Sequence, residues 1–424
     1  MNVNVDKKAM LDQLCSLLKI RSVKSEALPD APFGEGVKNA LVYFLDLAAS
    51  MGFKTVNYDN YIGEVIFGQG EPFGILCHLD VVPEGSLEDW NTPPYEPTVV
   101  DGKLFARGAL DDKSGAMVTL YCMKALLDSG ITPKREIRLI LGCDEESGWG
   151  CIDHYKKVAV LPEEGISPDA DFPVIYAEKG ILHLKYDFEK SPALLDLFGG
   201  ERANVVCDHC VAQVKKVPLG VDYRDVLVDG GKLESFGIPA HGSTPDKGKN
   251  AMAPILLALE GEGIIEAGVH DRLFGACCGV KNLSDETGNL TFSPNVVRAD
   301  GDKIYVTVDV RYPSTLEKDY VLNALSQIGH FEILSYQAPL FSEKDSGLVK
   351  ILSDIFKEAT GIAAEPIAIG GGTYARALKK GVAFGPALNE EEAFSIHQAN
   401  EHVTLTTLDL MTEIYLATLL KICC

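Results

Sequence analysis

The sequence predicts an α/β protein in two parts. One is a catalytic-type domain with a mainly parallel, mixed sheet flanked by helices, drawn from residues 1–180 plus 343–424; the other is an α+β domain, residues 181–342, inserted into it. Three observations carry this prediction. In the first third of the chain, apolar runs without alternation, such as EVIFG and FGILC, lie between amphipathic helical stretches, the texture of parallel strands covered on both faces. From about Ile181 the strands alternate or nearly alternate instead, and after Ser346 the strand-helix style returns. At 424 residues the chain also exceeds what one ordinary core organises.

Each element has a local reason. Met10, Leu11, Leu14, Leu17 and Leu18 form a helical stripe over residues 7–19, and residues 36–51 repeat the pattern. The strands EVIFG and FGILCHLDVV follow, then a loop rich in proline and glycine (83–110), a helix from about Ser114 to Asp128, and the strand IRLILGCDE. In the insert, ILHLKYDF, ANVVCDHCVAQV, KLESFGI and KIYVTVDVRY read as strands, Asp300-Gly301 as a hairpin turn, and about 250–260 and 315–328 as helices. Beyond it, LVKILSDIFKEATG is an amphipathic helix stopped by Gly361. The loop GGGTYAR comes next, and a last helix runs from about Thr404 to Lys421.

Composition excludes several classes. The formal net charge of −22, from 39 basic and 61 acidic side chains, repels phosphate backbones and argues against a nucleic-acid partner. No apolar run is long enough for a membrane span, and MNVNVDKKAMLDQL lacks the apolar core of a secretory signal, so a cytoplasmic location is expected. The 11 cysteines then read as reduced thiols. Cys207 and Cys210 make a single C-x-x-C, which strand alternation explains as well as half of a zinc site does.

The chemistry gathers at strand ends. In CHLDVVPEG, His78 and Asp80 lie two apart where a buried strand leaves the core, so they project from one face unless they are merely a surface pair. Asp111 and Asp112 open a helix, where acids also serve as an ordinary helix start. Asp144, Glu145 and Glu146 end another buried strand, Asp169 and Asp171 precede a further one, and His397 lies close to the last helix. So much negative charge at strand ends calls for cations, and a pool of imidazole and carboxylate without clustered thiolates suits zinc, cobalt or manganese. GGGTYAR has no G-K-[ST], so it is not a nucleotide P-loop, and no G-x-S-x-G or H-E-x-x-H occurs.

H-x-D at 78–80, R-G-x-x-D-D-K at 107–113, D-E-E at 144–146, P-D at 168–169, A-H-G-S at 240–243, G-G-G-T-Y-A-R at 370–376 and I-H-Q-A-N-E at 396–401 run in the order of a known family. The chain resembles the cocatalytic dizinc metallopeptidases related to glutamate carboxypeptidase and aminoacylase, and within them the PepV-type, Xaa-His or carnosinase-like dipeptidases. The resemblance implies that Asp111 bridges two zinc ions (Zn2+), one also held by His78 and Asp169, the other by Glu146 and His397. It implies that Asp80 sits behind His78 and orients it, that Glu145 is the general base and acid, and that the Asp111–Asp112 peptide is cis. Two such ions would polarise the scissile carbonyl and acidify a shared water.

From the insert, the resemblance makes His241 a donor to the tetrahedral oxyanion, brought in by domain closure, and makes Asn204 and Arg311 substrate contacts. A surface turn, strand packing or a salt bridge are the plain readings of those three. Gly371, Gly372 and Thr373 are expected to hold the substrate's C-terminal carboxylate with backbone amides, with Arg376 a helper or an exposed helix residue. The implied substrate is a dipeptide. An N-acyl-amino-acid deacylase or desuccinylase with the same centre is the alternative, as is a metal-bound peptide-binding protein without catalysis, which retention of Glu145 argues against. Either a monomer or a homodimer fits. Two departures stand out: Cys207 where relatives carry proline, and AFGPALNEEE where they carry A-F-G-x-x-x-P-G, which leaves the metal set intact but alters the substrate loop.

Overall fold

The computed structural model describes residues 3–216, 225–275 and 277–424. The chain forms two compact units: residues 1–176, 342–367 and 372–424 make the first, and 177–341 with 368–371 the second. The short return segment 368–371 belongs with the inserted unit, although it lies in the part of the sequence where the strand-helix style has resumed.

The sheet of the first unit includes β1 (Lys54–Tyr58), β2 (Ile62–Phe67), β3 (Pro72–His78), β4 (Glu136–Gly142), β5 (Glu164–Ser167), β6 (Val174–Glu178, whose last two residues fall past the unit's boundary) and β7 (Lys380–Phe384). The order is β1-β2-β4-β3-β5-β7-β6. The centre is parallel: β3 pairs with β4 and with β5, and β5 with β7. The outer pairs, β1 with β2, β2 with β4 and β7 with β6, are antiparallel. The apolar runs sit where parallel pairing buries both faces: from Phe73 to His78 every residue of β3 is buried.

The helices are α1 (Lys7–Leu18), α2 (Glu35–Ser50), α3 (Lys113–Asp128), α4 (Gly150–Val158), α5 (Gly347–Thr360), α6 (Glu390–Ser395) and α7 (Leu405–Cys423). Asp6 caps α1 by accepting from the Ala9 amide, and Ser346 caps α5 through Val349. Gly361, at φ 73°, ends α5 in the left-handed conformation that glycine adopts without strain. Helix α3 is buried almost all round, from Lys113 to Met123 without a break. Its start lies so close to the loop after β5 that a Cβ on Gly115 would fall 2.8 Å from the Pro168 carbonyl oxygen. Among the described residues no helix is long and apolar enough to cross a membrane.

The inserted unit is an antiparallel sheet in the order 227–229, 232–236, 209–214, 194–199, 291–300, 303–312, 180–189 and 331–337. The Asp300-Gly301 signal is a hairpin: Asp300 pairs with Lys303 across a two-residue loop, with Gly301 at φ 57°. Leu182, Leu184, Val306 and Val308 point to one face and pack with Ile255, Leu256 and Leu259 of the helix Met252–Gly261. This alternation of buried and partly exposed residues is what separates the insert's strands from those of the first unit.

Candidate metal centre

Three neighbouring parallel strands deliver the site. Strand β3 ends on His78, the loop after β4 carries Glu145 and Glu146, and the loop after β5 carries Asp169. Asp111 precedes α3 and His397 follows α6. Carboxyl ends of parallel strands are where open α/β sheets bind ligands, because the chain leaves the sheet there and frees side chains to converge.

The convergence is tight. His78 Nε2 lies 2.8 Å from Asp111 Oδ1 and 3.5 Å from Asp169 Oδ1. His397 Nε2 lies 2.9 Å from Asp111 Oδ2 and 3.1 Å from Glu146 Oε2. Two groups able to hold a cation result, His78 with Asp111 and Asp169, and Asp111 with Glu146 and His397, each with ligand atoms within 4.8 Å of one another. Asp111 is common to both and turns one oxygen to each. The peptide between Asp111 and Asp112 is cis.

The donors fit metal ions. His78 Nδ1 lies 2.9 Å from the Asp80 carbonyl oxygen, which can only accept, so the proton sits on Nδ1 and the Nε2 lone pair faces two carboxylates. Nε2 and Asp111 Oδ1 are buried without a hydrogen-bond partner despite their proximity. Burial opposes a charge on this ring, but Asp169 and Asp111 outweigh it and hold the His78 imidazole well above its ordinary value, so the position calls for a positive charge, a proton or a metal ion in its place. The carboxylates give the same message: burial first, then the neighbouring Asp111, pushes Asp169 up to about 7, with His78 opposing. Burial likewise pushes Asp80 up to about 6. Bound cations let such groups stay ionised together.

Asp80 departs from expectation. Its side chain does not hydrogen-bond the His78 ring; Oδ1 stands 3.6 Å from Nδ1, and the backbone carbonyl orients the imidazole instead. The carboxylate accepts the amides of Glu145 (3.1 Å) and Glu146 (3.2 Å). The reason is that β3 ends at His78, so Asp80 lies beyond the strand's alternation and turns to the loop of the neighbouring strand. Of the three consecutive acids, Asp144 points elsewhere, bonded to Lys24 Nζ at 2.6 Å and to the Gly150 amide at 2.9 Å. Asp112 accepts the His78 amide at 3.2 Å, and neither it nor Asp171 joins the two groups.

Glu145 lies outside both groups but beside them, and Trp149 Nε1 donates to its Oε1 at 3.3 Å. The Trp149 ring meets Tyr374 edge-on at 5.2 Å, and Tyr374 meets the His78 ring edge-on at 6.3 Å. Tyr374 fits there because residue 142 is glycine: a Cβ would fall 2.3 Å from its hydroxyl. Sequence reasoning missed Trp149 and the packing role of Tyr374; the tyrosine was visible inside GGGTYAR, whereas nothing local marks the tryptophan.

Asn204, His241, Arg311 and Gly371 belong to the inserted unit. There the segment of Asn204 pairs with that of His241, through Gly242 N to Asn204 O at 2.7 Å and Val206 N to Ala240 O at 2.9 Å. The His241 ring is exposed, with Nδ1 2.7 Å from Ser243 Oγ. Arg311 is buried, gripped by both oxygens of Asp309 at 2.6 and 2.8 Å, and donates to the Gly370 carbonyl at 2.9 Å. Gly372 and Thr373 lie in the first unit, and the Thr373 hydroxyl accepts the Ala375 amide at 3.1 Å. The glycine run serves close packing: a Cβ on Gly370 would meet Ser243, and one on Gly372 the Arg376 guanidinium, each at 2.7 Å.

A parallel-centred α/β unit whose strand ends present imidazole and carboxylate in two groups able to hold a cation is the frame of a metal-dependent enzyme. The model of the peptidase family M20/M25/M40 matches residues 74–421, and the chain belongs to that family of metallopeptidases. A Bacillus subtilis (strain 168) protein, YtjP, whose name classes it with dipeptidases, is 33% identical over 447 residues and covers 96% of each chain. A Staphylococcus aureus (strain bovine RF122) protein similarly named is 35% identical over 458 residues, covering 98% of this chain and 97% of its own. The solved structure of the Saccharomyces cerevisiae di-peptidase Dug1p shares the fold, with a TM-score of 0.61 at 14% identity over 97% of this chain and 95% of that one.

Proposed function

We propose that the chain is a dinuclear dipeptidase that hydrolyses the peptide bond of short peptides, Xaa-His dipeptides among them, in the cytoplasm. The observation that carries the proposal is Asp111, whose two oxygens address two separate histidine-carboxylate groups at 2.8 and 2.9 Å. His78, Asp111 and Asp169 would hold one ion, and Asp111, Glu146 and His397 the other. Zinc is the natural occupant of this donor set, with cobalt or manganese able to replace it. When bound, such a pair supplies Lewis-acid polarisation of a carbonyl and acidifies water.

The remaining work falls to the protein. Glu145, held by Asp80 through its backbone and by Trp149 through its side chain, accepts the proton of the attacking water at a carboxylate oxygen. It then returns that proton to the leaving amine. Asp80 keeps Glu145 and Glu146 in register, so base and ligand move as one loop. We assign His241 to the oxyanion, Asn204 and Arg311 to the substrate, and Gly371, Gly372 and Thr373 to its terminal carboxylate. Support for the first three is their organisation within one unit: Arg311 is fixed by Asp309, and Asn204 is fixed by the His241 segment. The 11 cysteines, all unpaired thiols, suit a reducing compartment.

The test is metal analysis of the purified protein beside a substrate panel with and without chelator. Two equivalents of metal, and chelator-sensitive hydrolysis of Ala-Ala or β-Ala-His in preference to N-acetyl amino acids, support the proposal. Preference for N-acetyl amino acids would replace the substrate by that of a deacylase. Full turnover after exhaustive metal stripping would remove the mechanism.

A further inference from the structure

Glu401 ends the motif that carries His397 but belongs to neither group able to hold a cation. Its side chain is 1% exposed and that of Arg107 2%, and the two form an ion pair of 2.7 Å between Glu401 Oε2 and Arg107 Nη1. The other oxygen, Oε1, accepts two backbone amides, Leu110 N at 3.1 Å and Asp111 N at 3.2 Å. The Glu401 carbonyl accepts the Ala106 amide at 3.1 Å. Arg107 is itself anchored: its amide donates to Pro94 O at 2.8 Å, Nη2 to Pro83 O at 3.3 Å, and its guanidinium lies 5.2 Å from the Trp90 ring centroid. A charged glutamate thus reaches from the His397 segment to the backbone of the one residue that both cation groups share.

The segment it anchors needs anchoring. His397 (φ 63°) and Asn400 (φ 65°) are both left-handed, a region that side-chain-bearing residues occupy only when their surroundings hold them there. Asn400 is held at its side chain, accepting the Asn91 amide at 2.7 Å and donating to Asp89 O at 2.8 Å. Past it, Glu401 is the next fixed point. His78 ends strand β3 and Asp169 lies two residues past the end of β5, so neither depends on the Asn400 segment.

We infer that Glu401, held by Arg107, is a positioning residue for the centre: it ties the His397 loop to the backbone of Asp111 and so sets the affinity of the Asp111, Glu146 and His397 group for its cation. The inference rests on the dinuclear reading given above. Its signature is asymmetry. Breaking the tie frees His397 from Asp111 and Glu146; the other group loses only the bond to the Asp111 amide, while the next residue, Asp112, still accepts the His78 amide and His78 and Asp169 keep their places just at and beyond strands β3 and β5. One equivalent of metal should then weaken and the other should not.

The experiment titrates metal-stripped, full-length protein with zinc by calorimetry and with cobalt by visible absorption. Glu401→Gln removes the charge and keeps the size. A double variant, R107M with E401M, removes both charges at similar volume and covers the case in which a lone buried arginine prevents folding. Glu64→Gln serves as the structural control, because Glu64 is a buried carboxylate of the same unit bonded to the Tyr58 and Tyr155 hydroxyls, remote in role from any metal.

Wild type should take two equivalents. The Glu401 variants should keep one at wild-type affinity and bind the second at least about tenfold more weakly, the range seen when a group supporting a metal ligand is lost. The inference is overturned if a folded Glu401 variant binds both equivalents as wild type does, if both weaken equally, or if E64Q with a similar fall in thermal midpoint weakens the second equivalent as much. Fewer than two equivalents in wild type would instead overturn the dinuclear reading, and this inference with it.

Discussion

Glu145→Gln separates holding metal from using it. The Glu145 carboxylate belongs to neither group able to hold a cation, so its replacement leaves the five side chains of those groups in place. Glutamine has the same length, can still accept from Trp149 Nε1, and leaves untouched the backbone amide that Asp80 holds at 3.1 Å. What disappears is the capacity to take up a proton and return it. General acid-base catalysis by one placed group is worth about 10²–10⁴ in rate. At about 1.36 kcal/mol per decade, that is about 2.7–5.4 kcal/mol of transition-state stabilisation. The assay is kcat for Ala-Ala, by amine release, on protein whose metal content is measured in the same sample. The expected result is two equivalents of metal and a kcat at least about 100-fold down. A kcat near wild type at full metal content would refute the role of Glu145. A fall matched by lost metal would refute the separation drawn between Glu145 and the ligands.

Trp149→Phe deletes the indole N–H that meets Glu145 Oε1 while keeping a ring against Tyr374. One neutral donor to a carboxylate is worth about 0.5–3 kcal/mol, so kcat should fall by about two- to 160-fold with metal content unchanged; unaltered kcat would show that Glu145 is positioned without it. Chelation should abolish hydrolysis, and zinc, cobalt or manganese should restore it, whereas magnesium alone should not, since the set includes two imidazoles. In the inserted unit, burial would raise the Asp309 carboxyl, but the nearby His183 imidazole, 3.5 Å away, and the hydrogen-bonded Arg311 guanidinium outweigh it and hold it below the ordinary value of 3.8. A depressed carboxyl stabilises the fold fully above its unfolded value near pH 4 and loses that contribution as pH falls through the lower folded value. The stability gap between wild type and Asp309→Asn, followed by chemical denaturation, should therefore be constant from neutrality to about pH 4 and shrink below it; a gap unchanged at lower pH would show that the charge does not matter.

Much of this protein was legible from local pattern. Uninterrupted apolar strands marked the parallel centre, alternation marked the insert, and Gly361 stopped a helix that the structure places at Gly347–Thr360. Residue types at strand ends, read with the family resemblance, named the five side chains that the structure brings into two groups. Those features follow from interactions within a few residues, where periodicity, caps and side-chain chemistry act directly. Which side chains support the site was not legible. Asp80 was expected to orient His78 with its carboxylate, yet its backbone does so and the carboxylate holds residues 65 and 66 positions away. Glu401 meets Arg107 across 294 positions. A carboxylate in a loop carries no local mark of its partner, because the partner is chosen by how strands β3 and β4 and the start of α3 pack, and only the folded chain sets those distances.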